Sequence, residues 1–130
     1  MGQWDKNDIL NELCAQLSDI VTFHDYTPAD ELAKHIAVLK AQGRPGICTE
    51  WMNRYTNSLV EECLPVLRRE GVGAIHWGLV VGRTQTHLNW GHKPGDPEPV
   101  RWQHDLFRPD HSEYDEAEIA LFRETIARKS

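Results

Sequence analysis

No apolar run in this 130-residue chain is long enough to cross a bilayer, which removes a membrane-spanning reading. Lys and Arg are not clustered, and the net charge is -6, so a nucleic-acid partner lacks its electrostatic footprint. Cysteine is sparse: Cys14, Cys48 and Cys63 are odd in number, widely spaced and set among apolar residues, so they read as reduced and buried rather than as a disulfide framework. The start, "MGQWDKNDIL", lacks a basic region followed by an apolar one, and Lys6 stands where a myristoylation motif wants Ser or Thr. No Gly-x-Gly-x-x-Gly follows the first expected strand, so a dinucleotide fold lacks its fingerprint. Against these absences stand five tryptophans, Trp4, Trp51, Trp77, Trp90 and Trp102, too many for core alone. Some are expected to line a surface for a flat, partly apolar ligand.

The length suits one domain with a real core. Ile9, Leu10, Leu13 and Leu17 recur at helical spacing and predict a helix from Asp8 to Leu17, capped by Asn7 or Asp8. "DIVTFHDY", from Asp19 to Tyr26, reads as a strand. Thr27 as N-cap and Pro28 at the first helical position open a helix reaching about Gln42, with Leu32, Ile36 and Leu39 on one face, stopped by Gly43. Gly46 to Trp51 is the next strand. Ser58 and Glu61 then suggest a capping box for a helix carrying Leu59, Cys63, Val66 and Leu67, with Pro65 inside it. "VGAIHWGLV", Val72 to Val80, is the third strand. Residues 82–115 carry four prolines, three glycines and no period, and predict a long loop packed through Trp90, Trp102 and Phe107. A helix from Asp115 to Arg128, with Ile119, Phe122 and Ile126 on one face, closes the chain.

Strands alternating with amphipathic helices predict an α/β fold of three parallel strands joined by right-handed crossovers. Function in such folds sits at the C-terminal strand ends. There the sequence places His24-Asp25-Tyr26, Glu50-Trp51 and His76-Trp77. A carboxylate among aromatic rings suits sugars, whose apolar faces stack on indoles, and a Glu can attack an anomeric carbon or move its protons. Taken alone, Glu50 also fits a structural role, paired with Arg44 or Arg54. The period of two puts His24 and Tyr26 on one strand face and Asp25 on the other.

The segments "DIVTFHDY", "RPGICTEWMNR", "GVGAIHWGLVVGRTQT", "PEPVRWQHDLF" and "YDEAE" resemble, in order, the last three βα units of clan A glycoside hydrolases. These are retaining (β/α)8 TIM-barrel enzymes, including family 5 cellulases and family 2 β-galactosidases, and the cellulase-like bacterial members are nearest. The resemblance implies a partial TIM barrel, residues 1–130 forming the C-terminal half with barrel strands six to eight. It implies hydrolysis of O-glycosyl bonds in a β-linked glycan or glycoside, with no cofactor and no metal. Glu50 would be the nucleophile. Tyr26 would donate a hydrogen bond that keeps Glu50 ionised, His24 would line the sugar site, and Trp77 would form the platform beneath the sugar. Trp51, Asn53 and Gln85 are the further rim candidates.

A full barrel needs about 250 residues. The acid/base carboxylate of such enzymes belongs on the fourth strand, outside this sequence. The chain alone is therefore expected to be a poor catalyst: either the sequence is a truncated piece of a longer chain, or the missing half-barrel comes from another chain, or the protein associates with itself. A leader peptide would sit on that missing half, so the compartment stays open. The alternative is a non-catalytic sugar-binding or self-associating half-barrel. His76 is expected to be structural. His87, His92, His104 and His111, with Asp96, Asp105 and Asp110, are expected to be solvated loop polarity, because no pair has zinc-site spacing. Trp4 and Trp102 are expected to pack, and Trp90 to pack or to serve as a sugar platform.

Overall fold

The computed structural model describes residues 8–127; Trp4 and the Asn7 cap lie outside them. The element order is α1 (Asp8–Leu17), β1 (Val21–His24), α2 (Ala29–Lys40), β2 (Gly46–Glu50), α3 (Val60–Arg69), β3 (Gly73–Ala74) and α4 (Glu116–Ala127). The strands form one parallel sheet in the order β1-β2-β3, flanked by helices. The sheet is not closed into a barrel.

One sheet face packs on α2 and α3. Phe23 and Cys48, partners across the β1–β2 ladder, are both buried there, with Leu32 and Ile36 from α2 and Val60 and Leu67 from α3. Each helix contributes the apolar stripe expected of a core-facing helix. The alternation in β1 is clean: Val21 and Phe23 are buried, Thr22 and His24 exposed.

Several expected elements are shorter or start differently. β1 occupies only Val21–His24 of the expected Asp19 to Tyr26. α2 begins at Ala29 with Pro28 in the N-cap position, not Thr27. The Thr27 hydroxyl is drawn instead to the buried Asp25 carboxylate, 2.6 Å away, which also accepts from the Thr27 N–H at 2.9 Å and from His35 Nδ1 at 2.7 Å. The capping box at Ser58 does not form: Leu59 is the N-cap of α3 and no side chain caps it. Ser58 is buried beside the Cys63 sulfur, 3.6 Å away, and so is unavailable to the helix end.

The third strand departs most. Only Gly73 and Ala74 pair with β2, and the last rung is Ile75 N–H to the Cys48 carbonyl at 2.8 Å. Beyond it the chain turns at Gly78, φ +85°, and the Leu79 carbonyl accepts from Leu106 and Phe107 N–H. The second half of the expected strand thus pairs with the returning long segment, not with the sheet. Gly78 is required there: a Cβ would lie 2.9 Å from His104 Cβ.

Two apolar helix faces are not covered as expected. In α1, Ile9, Leu10, Leu13 and Leu17 are all exposed, and Ala15 is the buried residue. In α4, Ile119 is buried and Phe122 packs against the core, but Ile126 stands in solvent.

Candidate functional site

The ends of β1 and β2 meet at a bulge. Val21 pairs with Gly46 and Phe23 with Cys48, but His24 pairs with Glu50, so Thr49 is the extra residue. Strict alternation would turn Glu50 to the helix side with Cys48. The bulge reverses this and sets Glu50 beside His24, as bulges re-aim side chains at sheet rims. Thr49 is held by its hydroxyl, which donates to the Phe23 carbonyl at 3.1 Å.

Three side chains meet at one oxygen. The Tyr26 hydroxyl donates to Glu50 Oε2 at 2.8 Å, and His24 Nδ1 lies 3.2 Å from the same atom. Glu50 Oε1 takes part in neither contact. His24 is half exposed, the Glu50 side chain about a quarter, and Tyr26 is buried. Burial pushes the Tyr26 phenol well above its ordinary range, and the adjoining Glu50 carboxylate adds to the rise. Tyr26 therefore remains a hydrogen-bond donor throughout the range of ordinary solution pH. Neither arginine weighed as a partner of Glu50 takes it. Arg54 is bound to Glu118, and Arg44 reaches the Gln16 carbonyl.

Asp25 faces away, held by Thr27 and His35. Trp51 is fully buried, packed 5.9 Å from both His76 and Phe122, so it belongs to the core and not to an accessible rim. Asn53 is also buried; its side-chain oxygen accepts from the Tyr55 N–H at 2.9 Å and shapes the turn after β2. Gln85 is exposed at φ +56° in a turn of the long segment. Trp77 is half exposed and lines an open depression of about 310 Å³ with Leu79, Val80, Thr84 and Thr86; Glu50 is not among its walls. The structure thus joins His24, Tyr26 and Glu50, and places the other four elsewhere.

Residues 81–114 carry no helix or strand, as expected, but their polar residues are not all solvated. His87, Gln103, His104 and Asp105 are buried. Asp105 accepts from the Thr86 hydroxyl at 2.8 and 3.0 Å, and His87 Nε2 lies 3.2 Å from Glu98. His104 Nδ1 donates to the Met52 carbonyl at 2.7 Å, two residues after Glu50, where Met52 sits at φ +67°. That bond leaves Nε2 as the acceptor nitrogen, enclosed and without a partner. The His104 ring tilts over Tyr26, centroids 5.3 Å apart, and Trp90 stands edge-on to Tyr26 at 5.5 Å. Burial holds His104 below the usual imidazole range and brings His76 down to about 4, so both are neutral near pH 7. Burial likewise raises the Cys48 thiol to about 12, which keeps it unreactive.

His104, expected as solvated loop polarity, is instead buried, and the bulge has no local signal in the sequence. Trp90, expected as a packing anchor of the loop or as a sugar platform, is largely exposed and touches the site through the Tyr26 and His104 rings. Among the described residues, no group of three or more His, Cys, Asp or Glu side chains is arranged to hold a metal ion. Compared with known protein families and with curated protein sequences, the chain matches none.

Proposed function

We propose that this chain carries the nucleophile side of a retaining glycoside hydrolase site acting on a β-linked glycan or glycoside. The observation behind this reading is the paired hold on Glu50 Oε2 by Tyr26 and His24. One oxygen is fixed while the other stays uncommitted, as a carboxylate needs if it is to attack an anomeric carbon in a set direction. The ordered resemblance of five sequence segments to clan A glycoside hydrolases agrees with it. In this reading the three strands are strands six to eight of a (β/α)8 barrel, and Trp77 offers its indole at the end of the eighth.

The reaction has two steps. Glu50 displaces the leaving group to form a glycosyl ester, and water then hydrolyses that ester. Both steps use a second carboxylate about 5 Å away in retaining enzymes. Asp25, the nearest acid along the sequence at this rim, is turned to Thr27 and His35 and does not fill that role. The acid/base comes from outside this chain, so natural glycans with poor leaving groups are not turned over by it alone.

A dinitrophenyl β-glycoside needs no protonation of its leaving group, so it bypasses the missing acid. Mixed with the chain, it should release dinitrophenolate in a slow burst, and azide, a nucleophile that needs no general base, should then speed turnover. Glu50→Gln should abolish both. Unchanged release in Glu50→Gln would remove the nucleophile assignment. Saturable sugar binding with no burst in the wild type would favour a binding module over an enzyme.

A further inference from the structure

Trp90 is 71% exposed, more than any other tryptophan described. An indole left in water forgoes burial worth about 2 kcal/mol, so its position calls for a reason. The side chain is nevertheless placed. It projects from a turn in which His92 N–H bonds the Asn89 carbonyl at 2.9 Å and Gly91 N–H bonds Asn89 Oδ1 at 2.8 Å. The limbs of this excursion are joined by Gln103 N–H to the His87 carbonyl at 2.8 Å. At the base His104 lies 6.0 Å from the Trp90 ring and is itself bonded to the Met52 carbonyl. The indole stands at 80° to the ring of Tyr26, and Tyr26 is bonded to Glu50. Trp90 is thus one ring away from the reacting carboxylate, whereas Trp77 lines a depression that does not include Glu50.

We propose that Trp90 is the stacking wall for a second pyranose ring, next to the one whose anomeric carbon meets Glu50. The inference rests on the glycoside reading of Glu50 and narrows its substrate class to β-linked oligosaccharides over single-sugar glycosides. A large exposed aromatic face at right angles to the Tyr26 ring suits the apolar face of a sugar, and the bracing turn limits the ordering cost of binding. His104 acts here as a positioning residue: it touches both rings and the chain that follows Glu50.

The test is calorimetric titration of the whole chain with methyl β-glycosides and the matching β-linked disaccharides. Trp90→Ala, Trp90→Phe and Trp77→Ala are compared with wild type. The wild type should bind the disaccharide more tightly than the monosaccharide. Trp90→Ala should lose that advantage, roughly tenfold in Kd, and leave the monosaccharide unchanged. Trp90→Phe should restore most of it. Because Trp90 is largely exposed, an unchanged thermal midpoint is expected and separates lost binding from lost folding. Wild-type disaccharide binding that survives Trp90→Ala would overturn this inference and leave the glycoside reading standing. No saccharide binding by the wild type would overturn both.

Discussion

Glu50 is where residue chemistry and backbone geometry meet. The spacing of His24 and Tyr26 was legible, because alternation along a strand follows directly from the sequence. The placement of Glu50 beside them was not, since it depends on the bulge at Thr49 and nothing local marks an extra residue. Trp51 misled for a related reason. Its neighbour is at the rim, but its own indole turns into the core against Phe122, from a helix more than 60 residues later. His76 was expected to be structural, and its acid-base behaviour supplies a prediction. Its folded-state value of about 4 lies below the ordinary 6.5, so between these values the unfolded chain binds a proton that the folded chain does not. Stability is therefore full above about pH 6.5 and falls as pH drops towards 4. At pH 5 the loss from this group is about 2 kcal/mol, readable as a lower urea midpoint than at pH 7. His76→Phe should flatten that slope.

Elements carried by strong local signals were read correctly. The Leu32, Ile36 and Leu39 stripe is the buried face of α2, and α1 spans Asp8–Leu17 as its period predicts. Elements that depend on distant partners were not. β3 stops after two residues because Leu79 and Val80 find hydrogen-bond partners in the segment around Phe107. That segment is anchored by Arg54, which is buried at the turn after β2. Its guanidinium bonds Glu118 of α4 at 2.9 Å and the carbonyls of Trp102 and Asp105 at 3.2 and 3.3 Å, and it lies over the Tyr114 ring at 4.4 Å. One side chain thus joins β2, the long segment and α4. Arg54→Met should cost about 3 kcal/mol in chemical denaturation, because it leaves the Glu118 carboxylate without its main partner in a nearly buried site. Adding Glu118→Leu should recover part of the loss, whereas a purely additive result would show that the pair is not coupled.

For the whole molecule, the α/β class and the three parallel strands follow from the alternation of helix and strand periods, and closure does not. Among the described residues no strand pairs with the outer edge of β1 or of β3, and the apolar face of α1 lies in solvent. Exposed strand edges and a bare apolar stripe are what a sheet shows when neighbouring strands and helices lie on another chain or another part of the protein. The proposed part-barrel would cover both, and that proposal stands or falls with the chemistry of Glu50. The most direct measurement is covalent trapping with dinitrophenyl 2-deoxy-2-fluoro-β-glycosides, followed by peptide mass spectrometry. The leaving group needs no acid, and the fluorine slows hydrolysis of the glycosyl ester, so a single carboxylate nucleophile suffices. The expected product is one added fluoroglycosyl group on the peptide containing Glu50, absent in Glu50→Gln. No label, or a label on any other residue, would contradict it.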